Sequence, residues 1–167
     1  MNRTAQSSVE VLRSMFGDAC QTDVALARYT AARVGGVAEV LVFVNSVDEL
    51  AQASQQLWAL DVPFLVLGGG SNVLVSDRGV REVVLINRAR EIEIDTTVDP
   101  PVVWAGSGAN FGSLARRVAS YGLSGLEWAA GIPGTIGGAV FGNAGAHGGD
   151  VAGTLKMAEI LHRNGTR

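Results

Sequence analysis

Residues Trp128 to Gly149 read WAAGIPGTIGGAVFGNAGAHGG, 22 residues with no Asp, Glu, Lys or Arg and with eight glycines. A charge-free run of that length matches the span of a membrane helix. The glycines, Pro133, Asn143 and His147 argue against one, because each weakens a continuous helix or brings in a polar group. The stretch instead predicts a pocket wall built from main chain. Glycine leaves N–H groups open to a flat or phosphorylated ligand, and the missing charge suits a neutral, largely buried part of that ligand. At its centre, Pro133 stiffens a turn flanked by Gly131, Gly134, Gly137 and Gly138. The plainer alternative for this segment is a glycine-rich bend between packed strands.

Composition narrows the setting. The chain has 167 residues, 47% of them hydrophobic, enough for one domain or two small lobes. Its 22 glycines concentrate in two places, which points to ligand loops more than to disorder. A formal net charge of −3 with no basic run argues against a nucleic-acid surface. Cys20 is the only cysteine, so there is neither a disulfide framework nor a cysteine zinc site. The first ten residues, MNRTAQSSVE, lack an apolar segment of the signal-peptide kind, and a soluble cytoplasmic protein without a membrane partner is expected.

From the N-terminus, Ser7 to Glu10 fits a capping box opening a helix that carries Val9, Leu12 and Phe16 on one face. Residues 22–36 run to a Gly35-Gly36 turn. A strand is expected over Ala38–Val44, then a second capping box at Ser46 and a helix over about 47–60 with Val47, Leu50, Ala51, Ser54, Leu57 and Trp58 at helical spacing. Strands follow at Phe64–Leu67, Val73–Val75 and Glu82–Ile86, the last two around an Asp77-Arg78-Gly79 turn. Near residue 90 the pattern changes. Glu91–Ile94 alternates as a half-exposed antiparallel strand does, Thr96–Pro101 turns, and Val102–Ala105 is a strand. Asn110 caps a helix with Leu114, Ala115, Val118 and Tyr121 on one face, closed by Gly122. Met157–His162 reads as a strand. Asn164-Gly165 is a strong hairpin signal with only Thr166 and Arg167 after it, and this predicts a chain that stops in mid-hairpin as a piece of a longer protein.

Two loops carry the binding signal. Gly68-Gly69-Gly70-Ser71-Asn72 follows a buried strand and forms a candidate N–H nest for a phosphate, with the Ser71 hydroxyl and Asn72 amide beside it. A plain tight turn is the alternative. It is not a Walker A loop, since Lys156, the only lysine, lies far away, nor a Rossmann fingerprint, since Val73 stands where the third glycine belongs. Together with the Pro133 loop, some 60 residues on, it is placed to grip opposite ends of one extended dinucleotide. Acid–base candidates are few: His147 in a loop of small residues, His162 on the last expected strand, and Glu127 at the rim of the neutral stretch. There is no nucleophile triad, metal cluster or paired carboxylate in the pattern, so any chemistry rests on a cofactor or on residues beyond this chain.

Three blocks in order, GGGSNVLVSDRG, AGSGANFGSLARR and GLEWAAGIPGTIGGAVFGNAGAHGGD, with RYTAARVGG at Arg28–Gly36 before them, closely resemble the UDP-N-acetylenolpyruvoylglucosamine reductase family over about residues 22–167. The resemblance implies an α+β fold, the two-subdomain FAD-binding fold of the p-cresol methylhydroxylase and vanillyl-alcohol oxidase type, C-terminally truncated here. The division would be a lead-in helix over 1–21, a first subdomain over 22–90 and an incomplete second over 91–167, with the substrate-binding domain absent. It implies that Gly68, Gly69, Gly70, Ser71, Asn72 and Val73 bind the FAD pyrophosphate. Gly131, Ile132, Pro133, Gly134, Thr135, Gly137, Gly138 and Ala139 would line the flavin and ribityl chain, with Asn143, Gly145 and Ala146 close to the isoalloxazine. His147 stands where the family has a tyrosine. The implied reaction reduces UDP-N-acetylglucosamine enolpyruvate to UDP-N-acetylmuramate for peptidoglycan, with NADPH as hydride donor. The catalytic serine, arginine and glutamate are expected downstream of Arg167, so this chain alone is expected to be inactive. Two other readings stay open, a non-catalytic flavin or nucleotide module and another oxidoreductase on the same fold. The second is lowered because Gly68–Asp77 holds no histidine for covalent FAD attachment.

Overall fold

Strands rich in β-branched residues build the first sheet. In this computed structural model, which describes residues 3–167 and side chains from Val9 onward, β1 (Cys20–Ala25), β2 (Val37–Val44), β3 (Phe64–Leu67) and β4 (Val80–Asn87) lie in the order β1-β2-β4-β3. β1 runs antiparallel to β2, while β4 pairs in parallel with both β2 and β3. β4 is therefore central, and its last five residues, Val83 to Asn87, are all buried.

Helices α1 (Arg3–Phe16) and α2 (Val47–Ala59) cover one face, where Leu12, Ala53 and Leu57 meet Val40, Val42, Val44, Val83 and Leu85. Val9 and Phe16 join them as their spacing predicted. Burying side chains such as Leu57 and Leu85 completely contributes about 1.5–3 kcal/mol each. The other face carries Leu26, Ala38, Leu41, Val84 and Ile86. α2 begins with the expected cap: Ser46 Oγ accepts from the Glu49 N–H (3.1 Å), and Glu49 Oε2 accepts from the Asn45 N–H (2.7 Å).

The second half is thinner in strands. β5 (Ile92–Asp95) and β6 (Val102–Ala105) form a two-stranded antiparallel sheet. α3 (Phe111–Ser120) is capped by Asn110, whose Oδ1 accepts from the Ser113 N–H at 2.8 Å. Phe111, Leu114, Ala115 and Val118 pack with Ala129, Ala139 and Val151 into a separate core. The glycine-rich stretch folds into α4 (Ile136–Phe141), then the short strands β7 (Gly145–Ala146) and β8 (Gly149–Asp150) and the turn of helix α5 (Val151–Thr154).

Several expectations change. α1 starts before Ser7, so the Ser7–Glu10 segment lies inside the helix; the Ser7 side chain lies outside those described. β1 was unforeseen: its sequence CQTDVA is half polar, because it is a one-sided edge strand. Val73–Val75 is not a strand. Its neighbour Ser76 accepts from the Gly36 N–H and from the Gly79 N–H of the following turn, no ladder follows, and Leu74 is 84% exposed. Met157–His162 is not a strand either. It is extended and largely exposed with no strand beside it among the described residues, although a turn closes after it through His162 N–H to the Thr166 carbonyl. Tyr121 and Val47 lie exposed at helix ends and not on the buried faces.

Candidate cofactor site

β3 delivers the chain straight into Gly68–Asn72, beside the C-terminal end of β4. That is where a parallel sheet leaves room for a ligand. Among the described residues, the backbone N–H groups of Gly69, Gly70, Ser71 and Asn72 donate to no protein acceptor. Successive free N–H groups of this kind are the donor set of an anion-binding nest. Protein packing fixes its shape. Gly70 has φ +63° and accepts from the Ala31 N–H through its carbonyl (2.9 Å), and a Cβ there would meet the Tyr29 carbonyl and lie 2.9 Å from the Thr30 Cα.

On the other side the Pro133 loop leans on the same residues. Ser71 Oγ donates to the Pro133 carbonyl (3.3 Å), Gly68 faces the Thr135 side chain, and Gly69 faces Gly134. The Gly134 carbonyl accepts from the Phe111 N–H (3.1 Å) and from Asn110 Nδ2 (3.2 Å), so the loop is anchored to the start of α3. The two loops predicted from sequence thus meet, one from each half of the chain.

A cleft of about 420 Å³ opens beside them, lined by Gly68, Gly69, Asn87, Gly108 and Thr135 and by the guanidinium-bearing Arg28, Arg33, Arg88 and Arg90. None of these four arginines is in an ion pair among the described residues. Arg88 lies over the Phe43 ring, 4.0 Å from its centroid. The cluster was missed in the sequence because its members come from positions 28–33 and 88–90 and only the fold joins them. The run RYTAARVGG, with two arginines before a glycine pair, was the available signal.

The remaining predicted residues lie elsewhere. Gly137 N–H donates to the Ser107 carbonyl (2.8 Å) and Ile136 N–H to the Ala109 carbonyl (2.9 Å), fixing the start of α4; Ala139 is buried in the second core. Asn143, Gly145 and Ala146 do not line the arginine cleft. Asn143 Oδ1 accepts from the Ala152 N–H (2.8 Å) and its Nδ2 donates to Asp150 Oδ2 (3.3 Å), so its amide braces the β7–β8 turn against α5. His147, at φ +52°, lines a second recess of about 460 Å³ with Glu127, Trp128, Gly148 and Gly149. There the N–H groups of Glu127 itself and of Gly125 hold the Glu127 carboxyl below its usual range, which fits a capping group and not a base. His162 sits on the exposed C-terminal segment. No group of three or more His, Cys, Asp or Glu able to hold a metal occurs among the described residues, and no described helix is long and apolar enough to cross a membrane.

Comparison with known proteins agrees with this geometry. The UDP-N-acetylenolpyruvoylglucosamine reductase of Rubrobacter xylanophilus is 45% identical over 143 residues, covering 86% of this chain and 48% of that protein. The reductase of Bacillus subtilis is 43% identical over 141 residues, 84% of this chain and 46% of its own length. This chain therefore spans about half the length of the curated relatives it matches. Among solved structures, the UDP-N-acetylenolpyruvylglucosamine reductase of Thermus caldophilus superimposes with a TM-score of 0.62 at 40% identity, over 77% of this chain and 44% of that one. An alkyldihydroxyacetonephosphate synthase superimposes at 0.61 with 19% identity, over 88% of this chain and 34% of that one, a likeness of fold alone. The fold is the α+β FAD-binding fold of the p-cresol methylhydroxylase and vanillyl-alcohol oxidase type. The model of the FAD binding domain matches residues 38–167, and the chain belongs to that family.

Proposed function

We propose that this chain holds FAD and serves as the cofactor-binding part of a cytoplasmic UDP-N-acetylenolpyruvoylglucosamine reductase. The reaction is the NADPH-dependent reduction of UDP-N-acetylglucosamine enolpyruvate to UDP-N-acetylmuramate in peptidoglycan synthesis. The observation that carries this is the row of four N–H donors at Gly69–Asn72 with no protein acceptor among the described residues, running out from a cleft that Gly68 and Gly69 line together with four arginines. That donor set fits a diphosphate, which needs several fixed hydrogen-bond donors and positive charge.

When bound, FAD supplies two-electron hydride chemistry. In this reading Gly68–Val73 hold the pyrophosphate, while Gly131–Thr135 and Gly137–Ala139 flank the ribityl chain and flavin as a charge-free wall. Asn143 acts by bracing the turn that presents Gly145 and Ala146 near the ring system. Residues 22–90 and 91–167 act as two subdomains that close on the cofactor from either side. The serine, arginine and glutamate of the reduction step fall on no residue of this chain.

The test is a visible absorbance scan of the purified chain after adding FAD and desalting. The unaltered chain is expected to retain the flavin spectrum, and Gly70→Ala to lose it. A colourless product from both this chain and its full reading frame would overturn the cofactor assignment. A full-length protein that holds FAD but oxidises no NADPH in the presence of the enolpyruvyl substrate would leave the flavin-binding module as the correct reading.

A further inference from the structure

The two halves of the site meet at the surface through a long Ser71–Pro133 contact (3.3 Å), but a shorter and buried link lies behind it. Asn87 ends β4, at the middle of the first sheet, and is only 6% exposed. Its Nδ2 donates to Ser107 Oγ at 2.8 Å, and its Oδ1 accepts from the Ala89 N–H at 3.0 Å. Ser107 belongs to the loop after β6, in the second half, and its carbonyl accepts from the Gly137 N–H at 2.8 Å. One side chain thus joins the central strand, through Ser107, to the first turn of α4. Gly108 shows how close the join is: a Cβ there would lie 2.7 Å from the Ala89 nitrogen, the Asn87 carbonyl oxygen and Asn87 Oδ1. The Gly108 N–H donates to the Ala89 carbonyl (2.8 Å), which closes the loop on β4 from the other side.

We propose that Asn87 is a positioning residue that, through Ser107, sets the distance between the phosphate loop after β3 and the glycine-rich wall at Gly137. β3 and Asn87 sit on the same sheet, because β3 pairs with β4 up to Leu67–Ile86. The loop at Gly68–Asn72 and the pin at Asn87 therefore move as one body. Gly137 is placed relative to them by the 107–109 loop. Both ends of the Asn87 amide are used, so truncation leaves a half-buried hydroxyl and a buried N–H without partners. The Ser107 hydroxyl acts only through the Asn87 amide, which also holds the Ala89 N–H.

The test compares Asn87→Ala, the milder Ser107→Ala and the double variant by amide hydrogen exchange without flavin and by FAD titration. The flavin arm rests on the FAD reading above; the exchange arm does not. Each single variant is expected to speed exchange about tenfold or more at both 107–109 and 136–138, leaving β2 and β3 unchanged. Each is expected to raise the FAD dissociation constant about tenfold, and the double variant to do no more than the larger single. Faster exchange confined to 107–109, or losses that add in the double variant, would overturn the proposal. So would unchanged FAD affinity in a variant whose Gly137 amide has loosened. If neither the unaltered chain nor its full reading frame binds FAD, the functional reading falls and the exchange data alone decide the pin.

Discussion

Asp95 accepts from both the Thr97 hydroxyl (2.6 Å) and the Thr97 N–H (2.8 Å), and these bonds hold its carboxyl below the usual range. A carboxyl lowered in the folded state contributes stability above its unfolded pKa. That contribution is lost as pH falls through the folded value, so its window lies below about pH 4. An NMR titration of Asp95 is expected to give a midpoint below the ordinary aspartate value, and Thr97→Val to move it back up. A midpoint unchanged by that substitution would mean the Thr97 hydroxyl contributes nothing. At this scale the sequence was legible wherever one residue acts on its near neighbours. Ser46 with Glu49, Asn110 with Ser113, and Gly122 at the end of α3 all do what their types predict. It was not legible for the Asn87–Ser107 bond, which spans 20 residues, or for the four cleft arginines, which only the fold brings together.

Two helix caps look equivalent in sequence and differ in consequence. Ser46 caps α2 and does not line the arginine cleft, and Ser46→Ala is expected to cost about 1 kcal/mol of stability without affecting flavin affinity. Asn110 caps α3 with its Oδ1 and holds the Gly134 carbonyl with its Nδ2, so Asn110→Ala should cost a similar amount and also loosen the Pro133 loop. Urea denaturation with FAD titration separates the two; equal flavin affinity in both variants would detach Gly134 from the site. Elements were readable where periodicity coincided with burial, as in β2, α2, β4 and α3. They misled where apolar residues had no ladder to join. Val73–Val75 and Met157–His162 have strand-like composition, but a strand exists only if another strand lies beside it. β1 failed in the opposite sense, having too little apolar pattern to be noticed but an antiparallel register with β2 that takes in every residue except Asp23.

Among the described residues, three hydrophobic clusters hold the fold: two on the faces of the first sheet and one around α3. The C-terminal segment is attached to the first half by Arg163–Asp61 (2.6 Å) and Arg167–Asp48 (3.4 Å), pairs whose acidic side chains are nearly fully exposed and which add little. The order β1-β2-β4-β3 has a consequence in time. The ribosome releases β2, α2 and β3 before β4, yet β3 touches no other strand of its sheet. Both parallel edges of the gap must therefore wait, solvated, for the strand that fills it, and the non-local pairing that closes the sheet makes this a slow step. A nascent chain arrested before Val80 leaves the tunnel is expected to be cut readily by protease, and one arrested after Asn87 has emerged to resist. Resistance in the shorter chain would show that the helices alone hold the lobe together. Until that strand arrives, the growing chain carries two open templates for the wrong partner.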